Sequence, residues 1–189
     1  MASIGHVAVG MALGRYEAGG ASVRRLGAAM ALLSLLALLP DADVVAFKLG
    51  IPYAAPWGHR GASHSFVFAA GVAMFAAVVA RVLRAPASRW GLLTFLAVAS
   101  HGVLDSLTNG GLGAALLWPF SNARLFAPVR PLPVSPIGAG MLSSRGVYVV
   151  MVELFAFIPF WAYALWPRLR RRETSSHAPV HRSHAGPHD

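Results

Sequence analysis

Charge rarely interrupts the apolar stretches of this chain, and that feature constrains its fold more than any other. Five apolar segments stand out, at about Gly5 to Leu13, Leu26 to Phe47, Phe66 to Leu83, Trp90 to Leu107 and Val147 to Trp166. A helix needs roughly 20 apolar residues to cross a bilayer, and the third, fourth and fifth segments approach that length. Hydrophobic residues make up 56% of the 189, and charged residues, at 12%, reach about half the usual share. A bilayer is the natural solvent for such a chain. The pattern predicts an all-α fold: a polytopic membrane bundle of about four to five transmembrane helices. The first segment is short, without a basic leader or a clear cleavage site, and is not expected to be a removable signal peptide. Within the second segment, Pro40 disfavours helical geometry at Leu39, so the helix is expected to end or bend there.

The basic residues give an orientation. Arg15, Arg24, Arg25, Arg81, Arg84, Arg89, Arg168, Arg170, Arg171 and Arg172 share one side of a five-span arrangement, ten against the five at Lys48, Arg60, Arg124, Arg130 and Arg145. The excess marks the cytoplasmic side and leaves the amino terminus outside. The net charge of +9 is thereby read as membrane topology, and no nucleic-acid partner is expected, because the arginines border apolar runs instead of lining one amphipathic face. Residues 1–167 are read as one membrane-embedded domain. Residues 168–189 form a polar tail expected to be disordered and cytoplasmic, and its His177, His181, His184 and His188 are read as solvated.

With no cysteine present, thiolate zinc sites and cysteine nucleophiles are excluded, and any metal must be held by nitrogen and oxygen. Ahead of the tail, aspartate occurs only at Asp41, Asp43 and Asp105, and histidine only at His6, His59, His64 and His101. Under the orientation above, all seven fall at the outer ends of their segments. Scattered structural polar residues would not sort this way. His101 and Asp105 lie four apart and share one helix face. Asp41 and Asp43 follow the break at Pro40, where a turn can aim two carboxylates inward. The run His59-Arg60-Gly61-Ala62-Ser63-His64-Ser65 places two imidazoles around a glycine turn, with Ser63 a plausible helix cap and His64 in the first turn.

Imidazole with carboxylate and no thiolate points to a divalent metal, with zinc the commonest for hydrolysis and manganese or iron as alternatives. Each residue also has a packing alternative. His6 could simply hydrogen-bond a neighbouring helix, and Glu153 could be a ligand, a general base or a helix-packing partner. Arg60 could bind an anionic substrate or sit among lipid headgroups. Ser63, Ser65, Ser106, Thr108 and Asn109 are read as caps and as partners of the ligands.

Gly5-His6, the Leu39-Pro40-Asp41-Ala42-Asp43 element, the His59 to Ser65 run, His101-Gly102-Val103-Leu104-Asp105 with its continuation to Gly111, and Trp118-Pro119-Phe120-Ser121 together resemble the YdjM-like family of inner-membrane metal-dependent hydrolases. The resemblance covers most of residues 1 to 166. It implies a bacterial inner-membrane location and a remote similarity to the helical zinc-dependent phospholipase C and single-strand nuclease fold, hence phosphoester hydrolysis. The expected reading is a zinc-dependent hydrolase of a phosphoester, a phospholipid among the candidates, holding one or two ions at the outer half of the membrane. Asp41, Asp43, His59, His64, His101 and Asp105 are the expected ligands, with His6 a seventh. Asp43 or Glu153 would take a proton and Arg60 would orient phosphate. A divalent-metal transporter and a non-catalytic membrane protein are the alternatives.

Overall fold

A computed structural model describes residues 3–167, and the tail from Arg168 onward lies outside the described residues. The regular elements of the described part are all helical, without a strand, and two isolated bridges, Thr108 with Leu132 and Ala114 with Leu125, tie its loops together.

Two helical hairpins form the body. The first joins α1 (Ser3–Ala18) to α2 (Val23–Leu38), and Ser22 caps α2 by accepting from the Arg25 amide. The second joins α4 (Phe66–Val82) to α5 (Ala87–Ser106). Between the hairpins, Pro40 tightens the end of α2 into a 3₁₀ turn at Leu39–Val44, which runs on into the short α3 (Val45–Lys48). The chain therefore winds more tightly at the proline instead of leaving the helix axis, and Val23–Lys48 is one helical stretch of 26 residues. Past a long loop, α6 (Ser144–Ala156) and α7 (Ile158–Leu165) follow. They meet at a 64° bend, where Pro159 cannot supply the amide that a continuous helix would use.

All five apolar segments are helical, but their lengths differ in what they support. Among the described residues, Val23–Lys48 alone is long and apolar enough to cross a membrane by itself, and α6 with α7 qualifies if the bent pair is one span. The 17 residues of α4 are apolar but fall short of that length. In α5 the polar Arg89, Ser100, His101 and Asp105 dilute the apolar run. The expected four to five spans are thus not carried by length and composition.

Small residues let the hairpins close. A β-carbon on Gly10 of α1 would collide with the backbone of Ser34 on α2, so only glycine permits this approach. The Ser34 hydroxyl then donates to the Val7 carbonyl at 3.3 Å. α2 packs on α5 through Leu33, Ala37, Leu93 and Ala97, and α4 meets α5 around Ala69, Val98 and Ala99. α7 docks on α1, where Phe157 joins Ala8, Val9 and Leu132. At one end of the bundle, Arg89 donates to the carbonyls of Tyr16 (3.1 Å) and Glu17 (3.0 Å), and Arg25 lies 3.5 Å from the Glu17 carboxylate. The opposite end collects the start of α1, the 3₁₀ turn after α2, the start of α4 and the end of α5.

Candidate metal centre

Four side chains from three elements converge at that second end. One ligand-type atom each from Asp41, His64, His101 and Asp105 lies within 4.8 Å of all the others. Asp41 comes from the 3₁₀ turn that Pro40 induces, and His64 from a second 3₁₀ turn, Ala62–His64. His101 and Asp105 project from one face of α5, four residues apart. Gly102, next to His101, brings the helix close enough: a β-carbon there would run into the His64 carbonyl.

The spacing suits a cation. Two donors on a tetrahedral zinc, with bonds of about 2.0–2.1 Å, stand about 3.3–3.4 Å apart. Here His101 Nε2 is 3.2 Å from Asp41 Oδ1 and 3.9 Å from Asp105 Oδ2, while His64 Nε2 is 3.4 Å from Asp105 Oδ2 and 3.9 Å from Asp41 Oδ1. The Nε2 atoms of His64 and His101 are buried and lack any hydrogen bond of good geometry, a costly arrangement unless something else takes their lone pairs. The donor set therefore fits a divalent metal.

The remaining nitrogens show how the rings are aimed. His101 Nδ1 lies 2.7 Å from the Ala37 carbonyl, so Nδ1 carries the proton and Nε2 is left as a donor to a cation. His64 Nδ1 faces Asp43 Oδ2 at 3.2 Å and the Ser63 hydroxyl at 3.0 Å. Burial lowers the His64 pKa, but the carboxylates of Asp105 and Asp43 outweigh it and hold the ring above its ordinary 6.5. Protons consequently compete with a cation for this nitrogen.

Asp43 forms a hub of its own. Its carboxylate accepts from His59 Nδ1 at 2.6 Å, from the Ser63 hydroxyl at 2.6 Å and from the Arg60 amide at 3.1 Å, besides facing His64. Asp43, His59 and His64 make a second group with ligand-like proximity. A separation of 2.6 Å, however, is that of a charge-assisted hydrogen bond, short for two donors on one ion. Asp43 thus orients His64 and His59, and its oxygens are already engaged, which argues against the proton-accepting role expected for it. Replacing Asp43 with asparagine should leave the four-donor centre in place and weaken metal affinity by roughly 10- to 100-fold, the usual effect of losing a carboxylate behind a ligating histidine, as titration with a competing chelator would read.

Three expectations change. Arg60 is tied into the protein although it lines a cleft: Nε sits 3.0 Å from Asp105 Oδ2, and one terminal nitrogen donates to Thr108 Oγ1 at 3.0 Å and the Gly110 carbonyl at 3.1 Å. With φ at 60°, Arg60 occupies the left-handed region, and these contacts plus its amide bond to Asp43 hold it there. Glu153 is fully buried, but it accepts from the Gly5 amide at 3.1 Å and so caps α1. It belongs to neither ligand group. Ser65, not Ser63, caps α4 by accepting from Phe68, and His64 lies in the turn before that helix.

His6 lies beside the centre. Its ring stacks on His101 with centroids 3.7 Å apart and a 7° tilt, Nε2 is 3.8 Å from Asp105 Oδ1, and neither ring nitrogen has a hydrogen-bond partner. Two contributors carried no motif. One is Tyr53, whose ring centroid lies 5.4 Å from that of His59. The other is Arg124, which fixes the loop before His59 by donating to the carbonyls of Tyr53, Ala55 and His59.

With a histidine and aspartate centre of this kind, the chain matches the family described as YdjM inner membrane protein over residues 1–175. The chain belongs to that family. It is 41% identical over 122 residues to the inner membrane protein YbcI of Escherichia coli (strain K12), covering 64% of this chain and 70% of the relative. No solved structure matches it. The family and the relative are both named as inner membrane proteins, which agrees with the apolar stretch at Val23–Lys48.

Proposed function

We propose that this is a metal-dependent hydrolase of the inner membrane, acting on a phosphoester, with Asp41, His64, His101 and Asp105 as the ligands of one divalent ion, zinc by preference. The observation that carries the reading is the pair of buried Nε2 atoms, on His64 and His101, turned between two carboxylates with no hydrogen bond of their own. A purely structural cluster would be expected to align these contacts as hydrogen bonds. A bound divalent cation supplies a Lewis acid for a phosphoryl oxygen and acidifies water toward neutral pH.

The protein's own groups do the rest. Ala37 and Asp43 keep the two imidazoles in register, and Arg60 holds Asp105 through Oδ2 at 3.0 Å. Asp41, whose side chain is 28% exposed, is the most exposed of the proposed ligands that line the cleft and the group best placed to take a proton from water. His6, stacked on His101 with Nε2 3.8 Å from Asp105 Oδ1, is a candidate further ligand. The chain would cross the membrane several times, with the centre toward the outer face and the tail from Arg168 inside, as the distribution of arginines supports.

Protein purified in detergent should contain stoichiometric metal and hydrolyse a chromogenic phosphoester, lose turnover to a chelator and regain it on zinc addition. If the metal is present but phosphomonoesters and phosphodiesters are both left intact, the hydrolase reading is wrong. Zinc flux into liposomes would then test a transport role.

A further inference from the structure

A cleft of about 280 Å³ leads from the surface to the centre. Its floor is polar, with Asp41, His59, Arg60 and Asp105, whereas its walls are mainly apolar, with Ser3, Ser135 and Tyr53 among them. One wall includes Val44, which is 40% exposed and belongs to Val23–Lys48, the stretch suited to crossing the membrane. The facing wall comes from the proline-rich loop before α6 and includes Ile137, 56% exposed, and Met141. Residues next in the chain to both walls are exposed and apolar as well, Val45 (52%) and Leu49 (70%) after Val44 and Leu142 (90%) after Met141. Such apolar exposure around a polar floor is unusual for a site fed from water.

We infer that the substrate is a membrane amphiphile carrying a phosphate ester, which enters sideways from the bilayer with its apolar part between Val44 and Ile137 and its phosphate over Asp41. The inference rests on the hydrolase reading above and narrows it. A lipid needs to bring only its headgroup out of the interface, because the apolar portion exchanges bilayer for cleft wall and stays in an apolar environment throughout. A small soluble phosphoester would leave those walls facing water. In the reaction, water adds across the phosphorus–oxygen bond: hydroxide goes to phosphorus, the proton ends on the leaving alcohol, and no electron is transferred.

The test uses the full chain, zinc-loaded and extracted from vesicles of phosphatidylcholine with minor, equal shares of phosphatidic acid and diacylglycerol, with lipid retention read by native mass spectrometry. Wild type should retain the phosphate-bearing lipids in preference to diacylglycerol, which has the same apolar part and no phosphate, and glycerol 3-phosphate at equal concentration should not displace them. Because Ile137 is exposed, Ile137→Asp should fold and keep its zinc, yet lose retention by about fivefold or more through the charge set in an apolar wall. Ile137→Leu should behave as wild type. Equal retention by Ile137→Asp, or displacement of lipid by glycerol 3-phosphate, overturns the inference. Zinc bound without lipid preference sinks the amphiphile alone, whereas a wild-type chain that takes up no zinc sinks the metal reading beneath it as well.

Discussion

Replacing His101 with alanine is expected to take bound metal from about one ion per chain to none, and phosphoester turnover with it. The ring is fully buried and has no solvent-side substitute. Its loss leaves Asp41, His64 and Asp105, and the two carboxylates, whose ligand atoms lie within 4.8 Å of each other, would face one another with one cation-binding partner fewer. Like charges at that separation in a poorly solvated site disfavour the doubly ionised state. The Ala37 carbonyl loses its 2.7 Å partner and His6 loses the ring it stacks on. Elemental analysis of the purified variant is the first measurement, with thermal unfolding in the presence and absence of chelator as the second. Wild type should lose stability on chelation and the variant should not respond. A variant with a full complement of metal removes the centre as described.

Residue type and spacing made much of this centre legible in advance. His101 and Asp105 at i and i+4 could only share a helix face, and a chain with so few ionisable residues places seven metal-ligand types at one end for a reason. The apolar runs likewise located every long helix. What the residues could not specify was rank among the seven. Asp41 and Asp43 look equivalent in the sequence, but the 3₁₀ turn sends Asp41 to the ligand group and Asp43 to the histidines and Ser63. For Arg60 the sequence left an anionic substrate and the lipid headgroups as equal candidates. Its engagement with Asp105, Thr108 and Gly110 depends on a return of chain some 50 residues later, which no local pattern encodes. The same holds for the Ala37 carbonyl and the Val134 to Met141 wall, since a backbone oxygen has no residue identity and a loop's apolar side shows only once the loop is placed. Span count was the weakest inference: apolar segments of 17 to 20 residues become helices in this fold, but helix length alone does not assign them to the bilayer.

A single methyl group should disable the centre without touching a ligand. Gly102→Ala sets a β-carbon against the His64 carbonyl and 2.9 Å from Leu116 Cδ2. The leucine methyl can swing aside, but the carbonyl cannot, because the turn that bears it is tied down on three sides: Ser63 donates to Asp43, the Ser65 amide bonds Ala62, and the Phe66 amide bonds Leu116. α5 must therefore shift, carrying His101 and Asp105 away from His64 and Asp41. Ligand bonds tolerate only about ±0.2 Å, so a displacement even a few times larger opens the centre. Metal affinity should fall by more than about 100-fold, and overpacking at this contact should cost about 1–3 kcal/mol of stability. Gly71→Ala, on α4, is the matched control: no atom lies within 4 Å of its β-carbon, and alanine in place of a helical glycine should stabilise by about 0.5–1 kcal/mol and leave metal content unchanged. Tight metal retention by Gly102→Ala would mean that α5 and the His64 turn do not meet at this glycine, and the donor spacings derived from that contact would fall with it.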